Sequence, residues 1–173
     1  MHFKSLVQPL LVAFLGSNSS NQGYDAGTQL HSASLEEPAT STAAFEVLST
    51  TKVAGGGIYQ RIKHASTSTK TSMTFGLFLP STHATKPVSE TTPAMYWLSG
   101  LTCDDTNFAM KAGPAAFEAA EEQSIVLVLP DTSPRGDDVP DVDSYDMGIG
   151  AGFYVDATEE PYAANYKMYT YVT

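Results

Sequence analysis

The chain has 173 residues, 42% apolar and 16% charged, which is enough apolar content for a buried core in one domain of ordinary size. Lys plus Arg number 9 against 19 Asp plus Glu, a formal charge of -10, which argues against nucleic acid because phosphate binding needs clustered cations. A single cysteine excludes an internal disulfide or a multi-Cys zinc centre, and no apolar run of about 18 residues predicts a membrane span.

Residues 1–44 read as a leader. Lys4 precedes the apolar run Leu6 to Gly16, and a Ser/Thr/Ala-rich segment then continues to Ala44. The run has the layout of a targeting peptide, although Gln8 and Pro9 interrupt it and no A-x-A site follows. A disordered leader and an organellar or secretory signal in residues 1–16 both remain open. The polar stretch after it carries too few large apolar residues to offset its ordering entropy.

The folded part is expected over residues 45–173. Gly55 to Gly57 form a turn cluster, and the alternation from Ile58 to His64 predicts a half-buried strand. After the polar connector 66–72, Met73 to Leu79 alternates again and ends at Pro80, so the two runs predict an antiparallel pair. Residues 81–93 read as a polar, proline-bounded loop. Ala94 to Leu98 (AMYWL) is a continuous apolar run, expected as a strand buried on both faces and stopped by Ser99-Gly100. Gly113-Pro114 opens AAFEAAEEQ, which predicts a short helix with proline in its first turn. Ile125 to Leu129 predicts a second buried strand, ended by Pro130. Strand, helix and strand in this order make a βαβ unit with a parallel pair, which places the chain in the α/β class. An acidic loop follows to about residue 160, and NYKMYTYVT (165–173) reads as the start of a helix.

Ligands in open α/β sheets bind at the carboxyl ends of strands. Two loops therefore stand out, Ser99 to Cys103 after the first apolar strand and Asp131 to Gly136 after the second. The first is short and contains glycine, so its backbone N–H groups could face a cleft and hold an oxyanion. A plain strand-to-helix turn is the competing reading of the same spacing.

Four ordered blocks carry a resemblance: YWLSGLTC (96–103), PDTSPRG (130–136), GAGFYVDAT (150–158) and NYKMYTYVT (165–173). They resemble S-formylglutathione hydrolase, the esterase D family, from about Phe45 to Thr173. The resemblance implies an α/β-hydrolase fold and a Ser-His-Asp triad. It also implies hydrolysis of S-formylglutathione to glutathione and formate, in formaldehyde detoxification. No metal or organic cofactor is implied, since glutathione belongs to the substrate. A cytoplasmic location and a homodimer follow by the same route. Residue by residue, it implies that the backbone N–H of Leu101 is an oxyanion donor. Gly100, Thr102, Cys103, Arg135 and Tyr145 become candidates for the substrate pocket, with Tyr145 standing where the family usually has Trp.

The nucleophile elbow G-x-S-x-G does not occur in the 173 residues, nor do the Asp and His expected to follow it. The resemblance thus covers an N-terminal half that stops before the elbow strand. That strand would lie beside Ala94–Leu98, leaving an open edge that favours aggregation. No catalytic triad residue is assigned here, and the chain alone is expected to be inactive. A Cys103–His dyad is a poor substitute, because His64 and His83 lie at a strand end and in a polar loop. Asp141 and Asp143 resemble the start of a calcium loop, but the central glycine and bidentate glutamate are missing. Arg135 could meet a glutathione carboxylate or pair with Asp137 or Asp138. A non-catalytic binding or regulatory fragment and a broader carboxylesterase are the alternative functions.

Overall fold

The computed structural model describes residues 45–84, 88–89 and 91–173; the expected leader, 1–44, lies outside the described residues. Five strands form one mixed sheet: β1 (Glu46–Lys52), β2 (Ile58–Ala65), β3 (Ser72–Leu79), β4 (Ala94–Tyr96) and β5 (Val126–Pro130). Their spatial order is β1-β2-β3-β5-β4. The expected hairpin is present, with Ile62 opposite Phe75 in the antiparallel β2–β3 pair. So is the parallel pair, with Met95 opposite Leu127 between β4 and β5.

Alternation along the central strands builds two cores. Met73, Phe75 and Leu77 of β3 and Val126 and Val128 of β5 face one side, together with Met168 and Tyr171 of helix α2 (Met168–Val172). Phe78, Leu127 and Leu129 face the other side, against Phe108, Phe117 and Ala120 of helix α1 (Asn107–Glu122). β5 is therefore buried at every position, as its unbroken apolar run predicts.

Three expectations need correction. AMYWL is not buried on both faces: the strand spans only Ala94–Tyr96, and Met95, Trp97 and Leu98 are 46%, 44% and 43% exposed. Among the described residues β4 pairs with β5 alone, so half of its backbone and its flanking side chains face outward. The helix does not begin at Gly113-Pro114 but at Asn107, and Pro114 sits in its interior. Asp104 accepts bonds from the Thr106 N–H (2.8 Å) and hydroxyl (2.6 Å), shaping the entry turn. Proline removes only the donor that Met110 C=O would receive, and Met110 is 79% exposed, so water can replace it. Finally, β1 was not anticipated. Its sequence EVLSTTK lacks an apolar alternation, and its side chains are largely exposed.

Candidate functional site

The loop after β4 and the loop after β5 meet at the carboxyl ends of the parallel pair. The first is a tight turn in which Cys103 N–H donates to Gly100 C=O (3.2 Å). Thr102 takes φ 63°, a left-handed conformation that costs a β-branched residue energy and so must be held from outside. It is held from three directions. Thr102 N–H donates to Gly150 C=O at 2.7 Å. The Tyr154 hydroxyl donates to Ser99 C=O at 2.7 Å. Cys103 C=O accepts from the Thr132 hydroxyl and from Arg135 Nη2, the latter at 3.1 Å.

Glycine is required at one point of this contact. Gly152 has φ 72°, and a Cβ there would lie 2.8 Å from Gly100 C and 3.0 Å from Leu101 N. The 150–158 segment thus presses its bare backbone against the Gly100–Leu101 peptide. Farther along the same loop, buried Asp105 pairs with Arg61 of β2 through both oxygens, at 2.6 and 2.9 Å.

Among the described residues, the N–H groups of Gly100 and Leu101 donate to no protein acceptor, whereas those of Thr102 and Cys103 do. A rigid turn that leaves two adjacent donors unspent at the carboxyl end of a strand can stabilise a developing oxyanion. Leu101 itself is 42% exposed. Beside it lies a cavity of about 250 Å³, lined by Thr132, Ser133, Gly152, Phe153, Tyr162 and Tyr166 among others. Gly152 is thus both a wall of the cavity and the residue that touches the Leu101 peptide. A larger groove, about 750 Å³, lies over β2 and α1 and shares with the turn region only Thr106.

The structure brings four of the six sequence candidates together: Gly100, Leu101, Thr102 and Cys103 form the turn. Arg135 joins them through Cys103 C=O, but its salt bridge is with Asp131 (2.8 and 3.0 Å) and not with Asp137 or Asp138. Asp131 stands four positions earlier in the chain, is buried at the end of β5 and needs a counter-charge. Burial raises the Asp131 carboxyl above its ordinary range, against the pull of Arg135 and the Thr132 N–H. Tyr145 stands apart, 74% exposed and not among the residues lining the cavity. His64 is stacked on Tyr171 and lies 3.0 Å from its hydroxyl, so it serves the core. Asp141 accepts from Ile149 N–H at 2.9 Å, and no cluster of three metal-ligating side chains occurs among the described residues.

Sequence reasoning pointed to the loop Asp131 to Gly136 and to the block GAGFYVDAT, but gave no role to Asp131, Thr132, Gly150, Gly152 or Tyr154 within them. The double glycine in GAGFY was a signal for close backbone approach, but its partner was not legible. Burial pushes the Tyr154 phenol up, with the Asp131 carboxylate and Cys103 adding, so it stays a neutral donor to Ser99.

The Esterase family profile matches residues 66–173, which takes in the turn, both clamping loops and both helices. The chain belongs to the esterase family. A solved S-formylglutathione hydrolase from Agrobacterium tumefaciens is similar to it at 44% sequence identity with a TM-score of 0.65. The match covers 73% of this chain and 44% of that one, so the esterase chain spans less than half the length of that relative. The mixed sheet with helices on both faces is accordingly part of an α/β-hydrolase fold. No helix among the described residues is long and apolar enough to cross a membrane.

Proposed function

We propose that this esterase chain supplies the oxyanion turn of a serine thioesterase that hydrolyses S-formylglutathione to glutathione and formate. The observation that supports this reading most directly is the clamped turn with its unspent Leu101 N–H, in a chain 44% identical to an S-formylglutathione hydrolase. In the proposed reaction a serine outside these 173 residues attacks the thioester carbonyl. Its proton passes through a histidine to the departing glutathione sulfur, leaving a formyl-enzyme. Water then attacks the formyl carbon, and the serine leaves with the proton returned. Leu101 N–H holds the negative oxygen of both tetrahedral intermediates. The reading carries with it a cytoplasmic location and a homodimer.

The test has two arms. Purified 173-residue chain is offered S-formylglutathione, and no turnover is expected, because no nucleophile elbow is present. Turnover abolished by Cys103→Ser would replace the serine mechanism with a cysteine one. Sequencing the transcript past the Thr173 codon is expected to reveal G-x-S-x-G, and the longer product is assayed on S-formylglutathione and 4-nitrophenyl acetate. A kcat/KM favouring the acetate ester would point to the broader carboxylesterase.

One observation favours a second reading, a non-catalytic fragment that binds another chain. Among the described residues no further strand lies beside the outer edge of β4, which carries exposed Met95 and is followed by exposed Trp97 and Leu98. Such an edge accepts an added strand. Co-purification with a longer esterase, lost in Ala94→Pro, would support it.

A further inference from the structure

An oxyanion donor is useful only if it stays within about 2.7–3.1 Å of the place where charge develops. Loops are ordinarily among the less stable parts of a fold, so a rigid turn needs a device that holds it. Several contacts hold the turn, and one of them is different in kind. Ser99 C=O is held by a single hydroxyl and Thr102 N–H by a single carbonyl. Cys103 C=O instead receives two donors from the neighbouring strand's loop, Thr132 Oγ1 and Arg135 Nη2. The guanidinium is itself aimed: its Nε and Nη2 bond both oxygens of Asp131. That carboxylate is 4% exposed and is fixed again by Thr132 N–H at 2.7 Å. Asp131, Thr132 and Arg135 therefore form a connected set anchored on β5 and, through Asp131 N–H to Thr74 C=O (3.2 Å), on β3, and the Thr132 and Arg135 side chains together grip the carbonyl that ends the Leu101 turn.

We propose that the Asp131–Arg135 fork is the positioning device for the oxyanion turn, holding Leu101 N–H in place through Cys103 C=O. The proposal rests on the serine-hydrolase reading for its purpose but not for its geometry. It gives Arg135 a role that depends on the shape of its fork, whereas a role in attracting a substrate carboxylate would depend only on its charge. Lysine keeps the charge and lacks the planar fork, so the two roles separate cleanly.

The chain holds one cysteine and one tryptophan, and both lie in the segment concerned, Trp97 and Cys103. Thiol labelling of Cys103 by an aromatic disulfide, Trp97 emission, and amide exchange of ¹⁵N-labelled Leu101 therefore report on the turn without any turnover. Arg135→Ala, Arg135→Lys and Asp131→Asn are each expected to raise Cys103 labelling and Leu101 exchange about tenfold, the effect of losing one partner of a buried charged hydrogen bond locally. Amides of β2 and β3 are expected to keep their protection, and Lys111→Ala, on the exposed face of α1, to change nothing. Formate is then titrated as an oxyanion probe while the Leu101 amide shift is followed. A shift in the parent chain that disappears in Arg135→Lys supports the proposal. Unchanged labelling and exchange in a folded Arg135→Ala, or parent-like values and formate response in Arg135→Lys, overturn it. If Arg135→Ala does not fold, the lysine variant alone decides. Absence of any Leu101 response to formate in the parent chain instead overturns the oxyanion assignment, and absence of hydrolysis by the longer product leaves the labelling result standing.

Discussion

The two edges of the sheet solve the same problem differently. β1 carries Glu46 and Lys52 at its ends, Ser and Thr between them, and a register shift between Val47 and Ser49. Charge, hydroxyls and a bulge are the devices by which sheets discourage a further strand. β4 has none of them. From Pro93 to Cys103 there is no charged residue, although the chain as a whole stands at -10. Pro93 C=O and Trp97 N–H point inward to β5, so the backbone groups of Ala94 and Tyr96 point out by alternation. The lesson is that the edge carrying the functional turn is the unprotected one, while the opposite edge is closed to company. Acidity is also unevenly placed. Nine of the 19 acidic residues lie between Asp131 and Glu160, in and around the loops that hold the turn, whereas Pro93 to Cys103 contains none.

The contrast can be broken most severely at the contact that joins the two halves. Arg61 belongs to the β1–β2 side, and buried Asp105 belongs to the loop after β4. Arg61→Ala leaves that carboxylate without its partner and is expected to cost about 3 kcal/mol, read as a lower urea midpoint at unchanged slope. Gly152→Ala comes next. A methyl group 2.8 Å from Gly100 C, on a residue at φ 72°, is expected to cost about 2 kcal/mol. Trp97 emission is expected to shift with it, since the displaced turn begins three residues after that ring.

Ala94→Pro sharpens the comparison with little effect on stability. It removes an outward N–H that pairs with nothing among the described residues, on a strand that Pro93 already precedes. The chain is expected to self-associate through this edge, and the substitution to shift its elution toward the monomer. Leu48→Lys on β1 is expected to leave elution as it was, because that edge is already closed.

The smallest effect is electrostatic. Burial raises the Asp156 carboxyl, but the Thr170 hydroxyl and N–H outweigh it and hold the group below 3.8. Asp104 is likewise held below 3.8, burial being outweighed by bonds from Thr106. With the folded value depressed, protons bind the unfolded chain more readily. The stabilisation is complete above about pH 4 and is lost as pH falls through the folded values. Asp156→Asn is expected to flatten the acid limb of a melting-temperature profile slightly, because the group is only partly buried and solvent screens it.

Much of the fold was legible because burial writes itself into composition. IVLVL could only be a strand covered on both sides, and the alternation in MTFGLFL announced a hairpin partner. The helix boundary was not legible. Gly113-Pro114 looks like a start, but the helix is entered earlier, through the Asp104 turn, and Pro114 sits inside it opposite exposed Met110. AMYWL read as buried because its residues are apolar, but burial is a property of neighbours, and β4 has one neighbouring strand among the described residues. Within the site, Gly100 to Cys103 were visible as a loop at a strand end. Arg135 was visible as a lone cation among acids, and its choice of Asp131 over Asp137 or Asp138 was not. That choice follows from which carboxylate is desolvated, and sequence does not carry desolvation.

By itself, then, the sequence determined which segments pair and pack, because apolar periodicity and turn residues act locally. It also determined that no nucleophile elbow is present in these 173 residues. Only the tertiary structure decided how the turn after β4 is held. Two segments that lie 29 to 55 residues away in sequence converge on it, Asp131 to Arg135 and Gly150 to Tyr154. Their meeting depends on strand order and backbone approach, which no local pattern encodes.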